Sequence, residues 1–474
     1  MASDLPVKTP PAETAGQKPT PAGTAGQKPT PAGTAGQKPT PASTAGQKPT
    51  KVRHGVVGFA VALSMVTYID RVALSNSRKQ VATALHLSDA QMGLVFTAFA
   101  TAYALFEIPS GFMGDRLGPR NVLLRIVIWW SLFTALTGRA WNFASLWITQ
   151  FLFGAGEAGC YPNIARAFAI WLPQPERVRA QGVIWMSSRW GGAFTPLLIA
   201  ILFRYMDWRL AFAAFGCLGV FWTVAFALWF RDNPRDKPGI NQAELDLLKD
   251  NAPPAPHGFP WRDLLASKTV LLLCAQYFAV SFTWYFLITW APTFVDERFH
   301  LDVTRSTFLK TLPLLMGGIG SMTCGLMAKP MTRWTGSVRR ARKISACIGF
   351  AGASASLILA TMLRDPYFVV SAIALSSFCN DLVMPAAWGT VMDISGSYSG
   401  TVAGTMNMVG NAGGALYGTV SGMVLQASHR NWDYVLYMGA AVYILGFIVW
   451  TQIDPVTPIS WKPRKVPDVA ELPL

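Results

Sequence analysis

Gly111-Phe112-Met113-Gly114-Asp115-Arg116-Leu117-Gly118-Pro119-Arg120 joins two apolar runs, residues 90–112 and 121–138. The segment fits the pattern GxxxDRxGxR at every fixed position. Glycines at 111 and 114 let helices approach closely, Gly118 supports a tight turn, and Asp115 can accept hydrogen bonds from arginines or from helix N-terminal amides. An ordinary basic turn would account for the arginines but not for the spaced glycines or the acid. A loop built this way can latch helix ends together.

Outward from this loop, the chain carries twelve apolar runs near residues 54–75, 90–112, 121–138, 145–170, 179–203, 209–230, 268–292, 306–328, 343–363, 367–392, 399–427 and 433–452. Roughly 20 helical residues span the hydrocarbon of a bilayer. Of 474 residues, 51% are hydrophobic and only 14% charged, a composition too apolar for a soluble protein of this length. These features predict an all-α membrane protein of twelve transmembrane helices. The six cysteines all fall inside apolar runs without CxxC or Cys/His spacing, so neither a disulfide framework nor a metal site is expected. The net charge of +15 does not point to nucleic acid, because Lys and Arg concentrate in loops between the runs. With both termini inside, inside segments hold 26 of these basic residues and outside loops 9, which places both termini in the cytoplasm.

Residues 1–52 form a basic tail in which four near-copies of the decapeptide PAxTAGQKPT span residues 11–50. With no apolar residue larger than Ala in the repeats, the tail is expected to be disordered, and it lacks the apolar centre of a signal peptide. The longest loop, residues 231–267, separates six runs from six and reads as a cytoplasmic linker, with Asn241 capping a short helix. The domains are then residues 53–230 and 268–453, each a six-helix bundle, followed by a cytoplasmic tail at 454–474. Asp207-Trp208-Arg209 and Asn431-Trp432-Asp433, at the start of runs six and twelve, echo each other as the halves of a repeat-built transporter do.

The GxxxDRxGxR loop resembles the signature loop of the major facilitator superfamily. That resemblance implies that Asp115 and Arg116, with Gly111, Gly118 and Arg120, latch the cytoplasmic ends of the two bundles in one state, with Arg177 or Arg179 as partners. In the C-terminal counterpart, residues 325–340, Lys329 stands where the acid would be, so no equivalent second latch is expected. Tyr68-Ile69-Asp70-Arg71, Gly154-Ala155-Gly156-Glu157-Ala158, Arg231-Asp232-Asn233-Pro234 and Pro260-Trp261 look like the anion:cation symporter family. That family includes bacterial importers of sugar acids.

Asp70 and Arg71 lie inside the first run, and charges in a transmembrane helix usually face a polar cavity. Tyr68 and Arg71, three apart, share a helix face, and Asp70 points about 100° away from Arg71. The resemblance makes Arg71 the arginine for a substrate carboxylate, which its fork suits. It makes Asp70 and Glu157 the proton-coupling acids, and it adds Tyr103, Trp388 and Asn407 to the substrate set. Gln150, Gly154, Glu157 and Tyr161 are spaced to form one stripe. Gln150 stands where the family commonly has a second arginine, and Arg189, also inside a run, is the candidate to replace it. Asp381 lies outside the recognised pattern and could pair with Arg189 or Lys310. A structural Asp-Arg pair is the competing account of residues 70 and 71.

The expected function is import of an organic anion, a hexonate or hexuronate, by proton symport with alternating access. The protein would be a monomer in the cell inner (plasma) membrane, with protons as coupling ion, no cofactor, and the bilayer as its other partner. An exchanger or exporter with weakened proton coupling, and a nutrient sensor with a transporter fold, are the alternatives. No His/Asp/Cys constellation of an enzyme falls within the runs.

Overall fold

The computed structural model describes residues 47–251, 258–299 and 303–461. The four decapeptide repeats lie almost entirely outside this range. The described residues form helices and connecting turns, without a strand. In chain order these are α1 (Val52–Asn76), α2 (Arg78–Leu85), α3 (Asp89–Leu117), α4 (Pro119–Thr137), α5 (Phe143–Glu157), α6 (Cys160–Trp171), α7 (Gln174–Leu202) and α8 (Trp208–Trp229). Short α9 (Gln242–Leu248) and α10 (Trp261–Ala266) precede α11 (Lys268–Tyr285), α12 (Ala291–Phe299), α13 (Val303–Thr335), α14 (Val338–Met362), α15 (Pro366–Ile394), α16 (Ser399–Ala427) and α17 (Trp432–Gln452).

Polar residues between the apolar runs start these helices. Ser88 and Gln91 form a capping box on α3, as Asn142 and Ser145 do on α5. The echoed triplets have the same role: Asp207 accepts from the Leu210 amide and Asn431 from the Asp433 amide. Among the described residues, seven helices are long and apolar enough to cross a membrane. Side chains such as Phe221 and Leu228, each 74% exposed, give α8 an apolar outer face that suits lipid.

Two apolar runs are not single helices. Residues 145–170 break at Ala158 and Gly159, where Gly159 has φ +86° and a Cβ would collide with Ser110. The stripe expected from Gln150 to Tyr161 is therefore split between α5 and α6. Residues 268–292 continue from α11 through a π-helical segment, Phe286–Trp290, into α12. Such segments interrupt helices frequently at functional sites.

Helices before residue 230 pack mainly on one another, as do those after 267. The two groups meet chiefly where α3 lies on α16 and α7 on α13, with α15 also against α7. In the first seam Gly111 and Gly400 face each other so closely that a methyl on either would strike the other's carbonyl oxygen. Gly182 and Gly325 bring the α7 and α13 backbones together in the second.

The loop after α8 does more than link. Glu244 of α9, fully buried, accepts from the backbone amides of Val52 and Arg53 and from the Arg53 guanidinium, so it caps α1. Asn251 accepts from Arg177 and donates to the Ile170 carbonyl.

Candidate functional site

Between the two helix groups lies a cavity of about 40 Å³ walled by aromatic rings and two arginines, Arg71 and Arg189. Arg71, on α1, donates from Nε (3.0 Å) and Nη2 (2.7 Å) to one oxygen of Glu157, Oε1. Its guanidinium also lies 4.6 Å from the centre of the Tyr103 ring and 5.6 Å from that of Tyr68. Glu157 Oε2 is buried without a hydrogen bond. The helix break explains Glu157's position: it is the last residue of α5, directly before the turn at Gly159. Asp70, one residue before Arg71 but on another face, is also buried, and neither of its oxygens has a hydrogen-bond partner. Buried polar atoms are normally paired, so three unpartnered carboxyl oxygens close together are unusual.

Arg189, on α7, is 2% exposed and binds Asp381 of α15 through Nε (3.0 Å) and Nη2 (2.8 Å). Its Nη1 donates to the Tyr68 hydroxyl at 3.1 Å, and Trp284 stacks on it at 4.1 Å. Of the two partners open to Asp381 in the sequence, the structure selects Arg189; Lys310 pairs with Asp296. Tyr68 thus stands between the two guanidinium groups.

Asn407 of α16 also lines the cavity, and its amide donates to Tyr103 (3.4 Å) and to Glu107. Glu107 is fully buried on α3 and also accepts from Asn411. Sequence reading passed over it, although an acid inside an apolar run is the signal that singled out Asp70. Tyr277, Trp284 and Tyr285 line the cavity from α11.

Two expected substrate residues lie elsewhere. Gln150, two turns before Glu157 on α5, turns to α4 and donates to Thr137 Oγ1 at 2.9 Å. It is outside the cavity wall because α5 packs on α3 and α4 rather than on the second helix group, and Gln150 turns to the α4 side. Trp388 is completely buried behind the wall, where its indole donates to the Tyr277 hydroxyl at 3.1 Å.

The loop at 111–120 sits at one end of the seam. Asp115 accepts from the backbone amides of Gly400 (2.8 Å) and Thr401 (2.6 Å) and from the Thr401 hydroxyl, capping α16 from the other helix group. Its cationic partner is Arg166, at 3.5 Å, rather than Arg177 or Arg179. Arg177 instead reaches α15, where Asp393 holds both it and Arg342. The second half therefore has an acid at its own seam, supplied by α15 and not by the position of Lys329. Arg116 is exposed and makes no bond to Asp115. Arg120 binds the Phe230 and Ala227 carbonyls, joining α4 to α8 within one group. Gly118, at φ +85°, makes the turn, and the Asp232 carboxylate occupies the space a side chain there would need.

The profile of the Major Facilitator Superfamily matches residues 60–418. The chain belongs to the Major Facilitator Superfamily. It is a membrane transport protein and not an enzyme. Among superfamily relatives, the probable sulfoacetate transporter SauU of Cupriavidus necator is 30% identical over 423 residues, covering 88% of this chain and 98% of that one. The hexuronate transporter of Bacillus subtilis is 28% identical, covering 86% and 96%. The solved proton:xylose symporter XylE shares the fold, with a TM-score of 0.70 at 12% identity over 87% of this chain and 99% of that one.

Proposed function

We propose that the chain imports a small organic anion by proton symport. In this reading twelve helices span the cell inner membrane as two six-helix bundles with cytoplasmic termini, and the bundles rock around the central cavity. Protons are the coupling ion, no cofactor takes part, and the unit is a monomer.

The observation that carries the reading is the grouping of Arg71, Glu157 and Asp70. A guanidinium faces the cavity while the carboxyl that neutralises it keeps one oxygen unpartnered, and a second carboxyl beside it, near the Trp130 indole, has no cation against it. Charge balance extends the point. Arg71 and Arg189 share the centre with four buried carboxyls, those of Asp70, Glu107, Glu157 and Asp381. A further anion can join them without a large penalty only as carboxyls take up protons. An incoming carboxylate would then displace Glu157 from Arg71, leaving Glu157 to hold a proton. Relatives named for sulfoacetate, hexuronate and galactarate/D-glucarate transport support an organic anion as cargo. Asn407, which can donate to and accept from hydroxyls, suits a sugar acid such as a hexonate or hexuronate. At about 2.3 kcal/mol per charge per 100 mV, protons in excess of the substrate charge let the membrane potential assist import.

Uptake into proteoliposomes with an imposed pH gradient tests the proposal. Hexuronate uptake that rises with the inward proton gradient is expected; uptake that ignores the gradient and requires internal anion would establish exchange instead. The relative named for sulfoacetate transport favours a second reading of the cargo, a compact two-ended anion of that kind. Competition between sulfoacetate and hexuronate in the same vesicles separates the two.

A further inference from the structure

Lys329 holds, in the second half, the place that Asp115 holds in the first, four residues after a seam glycine. Gly325 packs on the α7 backbone as Gly111 packs on that of α16. Asp115 is consumed by helix amides and Arg166, whereas the acid of the second seam, Asp393, is taken by Arg177 and Arg342. Among the described residues no carboxylate pairs with Lys329 or with Arg333, one turn further along α13, and both are exposed. These two cations border a cavity of about 210 Å³ between α7, α13, α14 and α15. Val178, Cys324, Ala328, Ala341 and Ala386 give it largely apolar walls. On the same helix, Leu326 and Trp334 are 49% and 78% exposed, an apolar and aromatic border of the kind found where helices meet the headgroup layer.

Two unpaired cations beside an apolar hollow match a ligand that has both an anionic group and a hydrocarbon chain. A free phosphate would leave the hollow unused, and a neutral lipid would leave the cations unused. We propose that Lys329 and Arg333 hold the phosphate of an acidic phospholipid whose acyl chain enters the cavity between α7, α13, α14 and α15. Basic pockets between membrane helices take acidic lipid headgroups in this way. Lys329 in place of an acid then has a chemical role of its own.

Native mass spectrometry of the full chain in detergent, titrated with phosphatidylglycerol, phosphatidylcholine or glycerol 3-phosphate, tests the assignment. One phosphatidylglycerol should be retained in preference to phosphatidylcholine. Lys329→Gln/Arg333→Gln should weaken that binding by about thirtyfold, the combined effect of two basic residues at a membrane surface. Arg262→Gln/Lys268→Gln, which removes two exposed cations on α10 and at the start of α11, should leave it unchanged. Ala328→Leu, which keeps both cations but fills the hollow, should also weaken it, so the test does not depend on one variant folding. Equal retention of the two lipids, undiminished binding by the double variant, an equal loss in the control, or displacement by equimolar glycerol 3-phosphate would each overturn the proposal.

Discussion

At the scale of single residues, the central charges divide by how they are held. Arg71 binds one oxygen of Glu157 through two nitrogens, a geometry that a lysine cannot reproduce. Arg71→Lys should reach the membrane normally yet lose at least tenfold in substrate affinity, by roughly the value of one charge-assisted hydrogen bond; wild-type affinity in uptake assays would remove Arg71 from substrate binding. Arg189 differs, because it is itself buried and holds both oxygens of Asp381, whereas Arg71 is partly exposed and holds one oxygen of Glu157. Arg189→Ala strands that carboxylate and should lower stability by about 3–5 kcal/mol as well as abolish uptake. Arg189→Met/Asp381→Leu should recover the melting temperature but not the uptake. Recovery of both would make the pair purely structural. The sequence revealed these charges by their cost: an ionised group in an apolar run must be offset by something. It did not reveal what offsets it, because the partners sit on helices far away in the chain. The Arg189 to Asp381 bond crosses 192 residues. Glu107 was legible by the same rule and overlooked, while Gln150 was assigned by its place in a motif and turns to a different neighbour.

At the scale of elements, the starts of α8, α9 and α17 were readable at Asp207, Asn241 and Asn431, and the interruption of helices was not. The runs through Ala158 and through Phe286–Trp290 stay apolar enough on average that periodicity alone carries a helix across both. The break after Glu157 matters most, since it ends α5 at the residue that meets Arg71. The α3 and α16 seam yields a prediction. Gly400→Val puts side-chain atoms against the Gly111 carbonyl and the Asp115 carboxylate. It should separate the helices and cost about 1–3 kcal/mol, read as a lower melting temperature. The loop after α8 yields another. Asp232 accepts from the Arg120 amide at the start of α4, and burial raises its pKa above the ordinary carboxyl value, against the opposing pull of that amide and of Arg120 and Arg166. A raised pKa favours the folded state at low pH and forfeits that gain as pH climbs through the folded value. Asp232→Asn, which cannot ionise, should therefore gain in melting temperature relative to wild type as the buffer moves from acidic to neutral. Parallel curves would show that the carboxyl is not held out of water.

At the scale of the whole molecule, the helix groups are tied at the Asp115 end, where Asp115 caps α16 and Asp393 clamps Arg177 and Arg342. Asp393→Asn should loosen this end and raise the labelling rate of Cys324, which is 3% exposed beside the α7 and α13 seam. An unchanged rate would mean that the glycine contacts alone keep the seam shut. The position of Lys329 offers no acid for a second clamp, and helix packing supplies one from another element, Asp393 of α15. The family was legible because a few motifs occur in order along the chain; the pairing of its charges was not, because it depends on how the two helix groups meet.

The grip of Glu244 on the start of α1 has a bearing on biosynthesis. Its bond to the Arg53 amide spans 191 residues, so α1 is made long before its cap exists. At about 5–20 residues per second, roughly 10–40 s of translation separate the two. Until then the first helix must wait in the membrane with its opening turn uncapped by Glu244 and Arg53 left to Glu176 alone among its acidic partners. A nascent chain stalled before residue 244 should therefore be more open to proteolysis at its first helix than one stalled just after α9.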